Sequence, residues 1–550
     1  MNSPPTDPQL QGALALHRMG NLRAAMDGYI QVLQRDPQNA DALYYVAMVA
    51  MQEGNYADGV KLAQRALSIA PQARVHNLLG QAYARVGDLQ QAIAGYDHAI
   101  QMQPDFADAY GNRANAYAMV GRFSEALADY DRALALRPNS FEDWSNRGAL
   151  LHDIDRLDEA LASYERAIAL KPDFAGGHFN RGNVLRDLAQ IADARAAGTG
   201  VVADTAKFDA AEAAYTKAIA IEPQLHDAFV GRALVHLLRG DWEKGFPDYA
   251  HRTKVGPPTF VPLDDPLWTG ENLANERLVL VTEQGLGDTI NLCRFAPLLA
   301  ARGFDVTILT RKAMQPLLAC LPKVKIATSA DELKQDPRPL RWLPLMSIPG
   351  VLGIRPDTIP AEVPYLSASP ERIAAWAARI GGTGFKIGIN WTSGHSENLH
   401  FIKRNIPLAA LAPLAALPGV RLISLQKGPA ANDIVKVAFR VETLDADPDP
   451  DADLFLDTAA AMMQLDLVIT CDTSVAHLAG ALGRPVFTAL PMIADWRWLL
   501  TRDDTPWYPT MKLFRQNAPN DWSGALARMA QAVRAKISNG RSPSRPPASP

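Results

Sequence analysis

Residues 465–487 read LDLVITCDTSVAHLAGALGRPVF, an apolar strand, a small polar cluster, then a helix of small residues. The cluster places Asp472, Thr473, Ser474 and His477 at one turn. A helix that begins at Thr473–Ser474 turns its unpaired backbone N–H groups and positive dipole end outward, which favours an anion. The same residues also suit an ordinary cap, because Asp and Ser accept from first-turn N–H groups, and His477 suits a packed core. The turn alone leaves both roles open.

Three further clusters bear on the choice. In EQGLGDTI (283–290), Gly285 and Gly287 permit a tight turn and Asp288 stands at a helix start, as a general base or as an N-cap. Ile290 occupies the place where the dinucleotide fingerprint G-x-G-x-x-G needs its third glycine, which disfavours a nicotinamide or flavin cofactor. The polar loop NWTSGHSENLHFIKRNIP (390–407) ends in the adjacent cations Lys403 and Arg404, suited to phosphate or to plain solvation. SLQKG brings Gln426 and Lys427 to the end of a strand. Phosphate explains the four clusters jointly, as cations and hydroxyls around one helix N-terminus. The acidic run DADPDPDAD (445–453) carries two prolines and reads as a solvated loop, so no metal site is expected.

These clusters follow strands. RLVLVTE (277–283), DVTILTR and KVKIATS alternate with helical stretches, and the pattern restarts with KIGINW (386–391), VRLISLQKG (420–428), MMQLDLVITCD and RPVFTAL. Strand–helix alternation predicts parallel sheets covered by helices. Two such blocks meeting at a cleft, with ligand beyond the carboxyl ends of the strands, is the expected α/β architecture.

The first half of the chain repeats itself. Prolines that end helices fall at Pro37, Pro71, Pro104, Pro138, Pro172 and Pro223, with gaps of 34, 33, 34, 34 and 51. The positions Tyr110, Ala114, Tyr117, Ala126, Tyr130 and Ala133 recur one period later as Trp144, Gly148, Leu151, Ala160, Tyr164 and Ala167. Small residues let antiparallel helices approach and aromatics fill the space between pairs, the tetratricopeptide pattern of an α superhelix. The long gap holds a 17-residue insertion, IADARAAGTGVVADTAK (191–207). Asn112, Asn146 and Asn180 recur 34 apart on successive first helices. Such a row either pairs with the backbone of an extended acceptor chain or ties the helices together.

These signals divide the chain into a flexible start (1–8), repeats (9–255), a proline-rich linker (256–269), two α/β blocks (270–380 and 381–537) and a disordered tail (538–550). The helix at about 520–537 is expected to pack back on the second block. The net charge of −4 offers no general attraction to nucleic acid. Cys293, Cys320 and Cys471 match no metal or disulfide spacing. No leader and no run of about 18 apolar residues is present, so a cytoplasmic protein without a membrane span is expected.

WTGENLANERLVLVTEQGLGDTINLCRF, LQKGP, DLVITCDTSVAHLAGALGRPVF and DWRWLLTRDDTPWYPTMKLFRQ together resemble bacterial tetratricopeptide proteins that carry a GT-B glycosyltransferase domain. That domain is related to the ADP-heptose heptosyltransferases, and the resemblance covers about residues 270–517. Flagellin glycosyltransferases of alphaproteobacteria share this order of parts, and protein O-GlcNAc transferases share the general plan. The resemblance implies two Rossmann-like subdomains, the first facing the acceptor and the second binding a nucleotide-sugar, which is a substrate rather than a cofactor. It implies Asp288 as base, Lys403 or Arg404 on the donor phosphate, and Asp472, Thr473, Ser474 and His477 on donor phosphates and ribose. It implies metal-independent, inverting transfer to Ser/Thr of an acceptor protein, flagellin first among candidates, with a nonulosonic acid among the possible sugars. A non-catalytic repeat and GT-B scaffold, and a transferase for a glycan or lipid head group, are the alternatives.

Overall fold

The computed structural model describes residues 7–196, 205–257, 260, 262–283, 285–393, 403–444 and 455–538. Two compact units result, one ending at Val184 and the other beginning at Leu185, with the boundary inside helix Ala175–Ala196.

In the first unit, antiparallel helix pairs follow one another, from Pro8–Arg18 with Leu22–Arg35 to Phe141–Asp153 with Leu157–Leu170. The turn within each pair needs a left-handed residue after the first helix. Gly20, Gly54, Gly87 and Gly121 supply it at φ of 77°, 83°, 88° and 78°, and Asp155 takes the same place at 62°. The small positions do the work expected of them: Ala114, Ala126, Ala133, Ala160 and Ala167 are fully buried. A Cβ at Gly80 would lie 2.6 Å from the Tyr96 ring, and an extra methyl at Gly148 would lie 3.0 Å from that of Tyr164.

Beside each asparagine of the row stands an arginine that the sequence reading passed over. Arg113 grips Asp129 with both arms (2.7 and 2.8 Å) and reaches Asp97 at 2.6 Å. Arg147 donates to Asp131 and Ser163, both at 2.8 Å, and Arg181 to Glu165 at 3.3 Å. Asn112 donates to Asn77 at 3.0 Å, so its amide is engaged within the stack; the row itself does not continue one period earlier, where Leu78 stands.

The second unit begins with more helices: the end of Ala175–Ala196, then Ala206–Ile221, His226–Leu238 and Trp242–Tyr249. The inserted stretch lengthens the first of these as far as Ala196 and rejoins at residue 205; residues 197–204 lie outside the described residues. Among the described residues nine strands follow. Arg277–Val281 (β1), Asp305–Leu309 (β2), Val324–Ala327 (β3) and Leu340–Pro344 (β4) form a parallel sheet in the order β3-β2-β1-β4. Phe385–Asn390 (β5), Val420–Ser424 (β6), Leu467–Cys471 (β7), Val486–Leu490 (β8) and Met511–Arg515 (β9) form a second, in the order β6-β5-β7-β8-β9. Helix Ser523–Ser538 buries Leu526, Met529 and Val533 against the core of the second sheet, as expected for that segment. The tail from 539 on and the acidic run 445–453 lie outside the described residues.

The end of the proline-rich joint is anchored to the first sheet. Trp268 is buried, its N–H donates to Trp342 O at 2.8 Å, and the Trp342 indole donates to Asp265 O at 2.8 Å. The last repeat helix is also fixed to the sheets. Trp242 lies 5.4 Å from Trp496 and 5.6 Å from Trp507, ring to ring, and Phe246 lies 5.8 Å from Trp496. Gln190, one helix pair earlier, accepts from Ala494 N at 3.1 Å. The composition change near residue 255 is therefore not a break in packing, because the aromatic face of the last helices is part of the second unit's core.

Candidate functional site

A cavity of about 690 Å³ opens at the carboxyl ends of β1, β5, β6 and β7. Asp288, Arg404, Gln426, Lys427, Asp472, Thr473, Ser474 and His477 all line it. Among the described residues Lys403 does not. The long loop before it is drawn in at its base, where Ser393 N donates to Asn405 at 3.0 Å; residues 394–402 lie outside the described residues.

Two short helices meet above the cavity, Leu286–Leu292 after β1 and Ser474–Ala481 after β7. Gly287 permits this, since a Cβ there would sit 2.9 Å from the His477 ring and 3.4 Å from Ser474 Cα. Gly285 is the N-cap of the first helix and Asp288 stands in its first turn without capping it, which removes the cap reading of that carboxylate. Its Oδ1 instead accepts from Arg497 Nη2 at 2.7 Å. Burial pushes the Asp288 pKa up, and Arg497 opposes that in part. Arg497 also donates to Asp495 at 2.9 Å and has a side chain 5% exposed. Burial works against the charge of Asp495, but Arg497 and Arg404 overcome it and hold its pKa low. Arg404 lies 3.4 Å from Asp472, whose pKa burial raises.

The 472–477 turn caps its helix and lines the cavity. Thr473 is the N-cap, accepting from Val475 N at 3.3 Å, and it donates to Asn390 Oδ1 at 2.9 Å. Thr470 donates to the same oxygen at 3.0 Å. Asn390 Nδ2 in turn donates to Gln426 Oε1 at 2.8 Å. Gln426 Oε1 also accepts from Trp391 N and Thr392 N, and its Nε2 donates to Lys427 O. The Gln426 amide is thus spent on holding the ends of β5 and β6 together. Ser474, at the head of the helix, and Lys427, exposed, keep their place at the cavity.

His477 is packed as a core histidine while lining the cavity. Its ring stacks on Trp498 with centroids 5.3 Å apart, and Nδ1 pairs with Tyr508 OH at 3.0 Å. Burial, with Arg497 adding repulsion, lowers its pKa to about 3, so the ring is neutral at pH 7. It is a neutral hydrogen-bonding group and not a phosphate-binding cation.

Asp495 and Arg497 were not read as site residues from the sequence. They lie in ADWRWLLTRDDTPW, where three tryptophans in fourteen residues signal burial but nothing marks which charges face a cavity. Asn390, at the end of a strand, was passed over in the same way. Tyr249 and Arg252, also at the cavity, come from the end of the helical array.

The helices before the sheets match known repeats. Models described as tetratricopeptide repeat match residues 16–82 and 107–140, and one described as TPR repeat matches 80–121 and 150–188. The N-terminal helices are tetratricopeptide repeats. Such stacks present a surface to a protein partner. Protein FlbA of Caulobacter vibrioides is 30% identical over 292 residues, 48% of each chain, so the chain spans about half the length of that curated relative. Among solved structures, the thermophilic TPR protein TTC0263 of Thermus thermophilus is 25% identical, covering 32% of this chain and 97% of its own, with a TM-score of 0.30. YrrB, a TPR protein with an unusual peptide-binding site, is 20% identical, covering 32% and 90%, with a TM-score of 0.27. Among the described residues no helix is long and apolar enough to cross a membrane.

Proposed function

We propose that this protein is a cytoplasmic glycosyltransferase that moves a sugar from a nucleotide-sugar to a Ser/Thr hydroxyl of an acceptor protein held by the repeats, flagellin being the acceptor favoured. The observation that carries the reading is Asp288 in one cavity with Arg404 and the N-terminus of helix Ser474–Ala481. The two parallel sheets are then the halves of a GT-B domain. The acceptor hydroxyl gives its proton to Asp288 as its oxygen attacks the anomeric carbon, and the bond from that carbon to the phosphate oxygen breaks. Negative charge gathers on the departing phosphate, where Arg404, Lys427 and the N-terminal end of helix Ser474–Ala481 stabilise it. Lys403 supports the same field from beside the cavity. Thr473, Asp472 and Gln426 set the shape of the site, and His477 offers the donor a neutral contact. In this reading Asn146 and Asn180 bind the acceptor chain, and Asn112, whose amide donates to Asn77, borders it.

Calorimetry on the full chain with CMP, UDP, GDP and ADP tests the reading without knowledge of the sugar. One of the four is expected to bind, and Arg404→Ala to weaken it roughly 10- to 100-fold, the scale of one charge-assisted hydrogen bond. If none of the four binds, the donor site is misassigned.

A glycine supplies a second check. An added Cβ at Gly285 would lie 2.2 Å from Asp288 Oδ2, while its backbone (φ −85°) accepts any residue. Gly285→Ala is therefore expected to keep the melting curve and to lower turnover roughly 10- to 100-fold by pushing the carboxylate aside. A variant that turns over normally would detach Asp288 from the chemistry.

A further inference from the structure

Arg252 stands in the turn Ala250–Lys254 that ends the helical array. Its guanidinium meets the Glu283 carboxylate with two arms, Nη2 to Oε1 at 2.7 Å and Nε to Oε2 at 3.0 Å. Nη2 also donates to Ser347 Oγ at 2.9 Å, and Nη1 to Tyr249 O at 3.1 Å. Glu283 Oε1 accepts as well from Met346 N at 3.0 Å. One ion pair thus joins three segments: the end of the repeats, the loop that runs from β1 to Asp288, and the turn after β4. Both side chains are buried, 11% and 5% exposed.

A buried pair of this kind adds little net stability compared with an apolar pair of the same volume. Its distinctive effects are geometric and electrostatic. Glu283 stands two residues before Gly285, the N-cap of the helix that carries Asp288. The negative charge of Glu283 also acts on Asp288, raising its pKa, and among the described residues Arg252 is the cation that pairs with Glu283.

We propose that Arg252 is a positioning residue: the last turn of the repeats holds and neutralises Glu283, and so fixes the loop that carries Asp288. The reaction site is then complete only with the repeats attached. This inference rests on Asp288 being the base.

The test uses the full chain with R252Q, R252K and the pair R252Q/E283Q. Amide hydrogen exchange followed by mass spectrometry needs no substrate. R252Q and R252K are both expected to speed exchange in 286–292 at least about tenfold, because the two-armed grip is lost. Transfer is then followed against pH with the activated sugar of whichever nucleotide binds in the calorimetry above. R252Q bares the Glu283 charge, disfavours ionised Asp288 and moves the acid limb of turnover up by about 1 pH unit. R252K keeps the charge and leaves the limb in place, and R252Q/E283Q removes both charges and brings it back. The nucleotide dissociation constant stays within about twofold throughout, since the donor contacts lie on the second sheet. If exchange and limb both stay put in R252Q, the proposal is wrong while the transferase stands. Should R252Q fail to fold, R252K decides: unchanged exchange in 286–292 overturns the proposal. A wild type that transfers no sugar sinks the transferase reading, and exchange alone then decides whether Arg252 holds the loop.

Discussion

Asp288→Asn is expected to bind the nucleotide as the wild type does and to turn over roughly 100-fold more slowly or worse, the loss that follows removal of a general base. The amide keeps the shape of the carboxylate and leaves Arg497 its bond to Asp495, so the cavity walls stay in place. The pH dependence separates loss of a base from loss of shape. Burial raises the Asp288 pKa from its ordinary value, and only the ionised form accepts a proton. Wild-type turnover therefore falls as pH drops through that raised value, and the residual turnover of Asp288→Asn lacks this limb. A variant that retains the limb would move the base elsewhere. Rate measurements from pH 4 to 9 under saturating donor decide between the two.

The largest effect on stability is expected at Trp242. It is buried, packed between Trp496 and Trp507, and its indole N–H donates to Leu237 O at 3.0 Å. Trp242→Ala removes ring contacts on two sides and leaves a cavity, a loss of roughly 3–5 kcal/mol. Urea unfolding should show the transition of the second unit moving to lower urea, with that of the first unit in place. Activity should fall with it, because Trp496 adjoins Arg497, which grips Asp288. An unchanged second transition would mean that the last repeat helix contributes nothing to the sheets' core.

Some of this was legible in the sequence for identifiable reasons. The repeats announce themselves through a fixed period, a left-handed turn position and paired small and aromatic residues, all local signals. Six of the seven strands that were read show as apolar runs because most of their residues are buried; the seventh, β3, has only Ala327 buried and was legible from its place in the strand–helix alternation. The two strands not read, β4 and β9, are edge strands: LRWLP ends in proline and carries an arginine, and MKLFR exposes Lys512. GLGD (285–288) reads as a turn and TINLCRFAPLLAARG (289–303) as one helix, whereas the helix begins at Leu286, and Leu286–Leu292 and Phe295–Ala301 are separated by a turn at Cys293–Arg294. Arg294 is buried there, bonded to Trp507 O at 2.7 Å and Tyr365 OH at 2.9 Å.

The candidate site divides along the same line. Asp288, Lys403 or Arg404, and the 472–477 turn follow strands, where parallel sheets place ligands, so position together with residue type and the family resemblance singled them out. Gln426 was read as a ligand contact, but its partners Asn390 and Trp391 stand on a neighbouring strand that local pattern cannot align. Arg497 acts on a residue more than two hundred positions away, and Arg252 acts across a joint that composition marks as a linker. Contacts of that span leave no periodic trace.

The boundary inside helix Ala175–Ala196 has a consequence for synthesis. The first unit is complete once Val184 has left the ribosome, whereas the core of the second sheet includes Val533 and cannot close before that residue is made. At about 5–20 residues per second, the first unit has roughly 20–70 s to fold before Val533 is added. The early repeats are therefore able to meet a partner while the second sheet is still open.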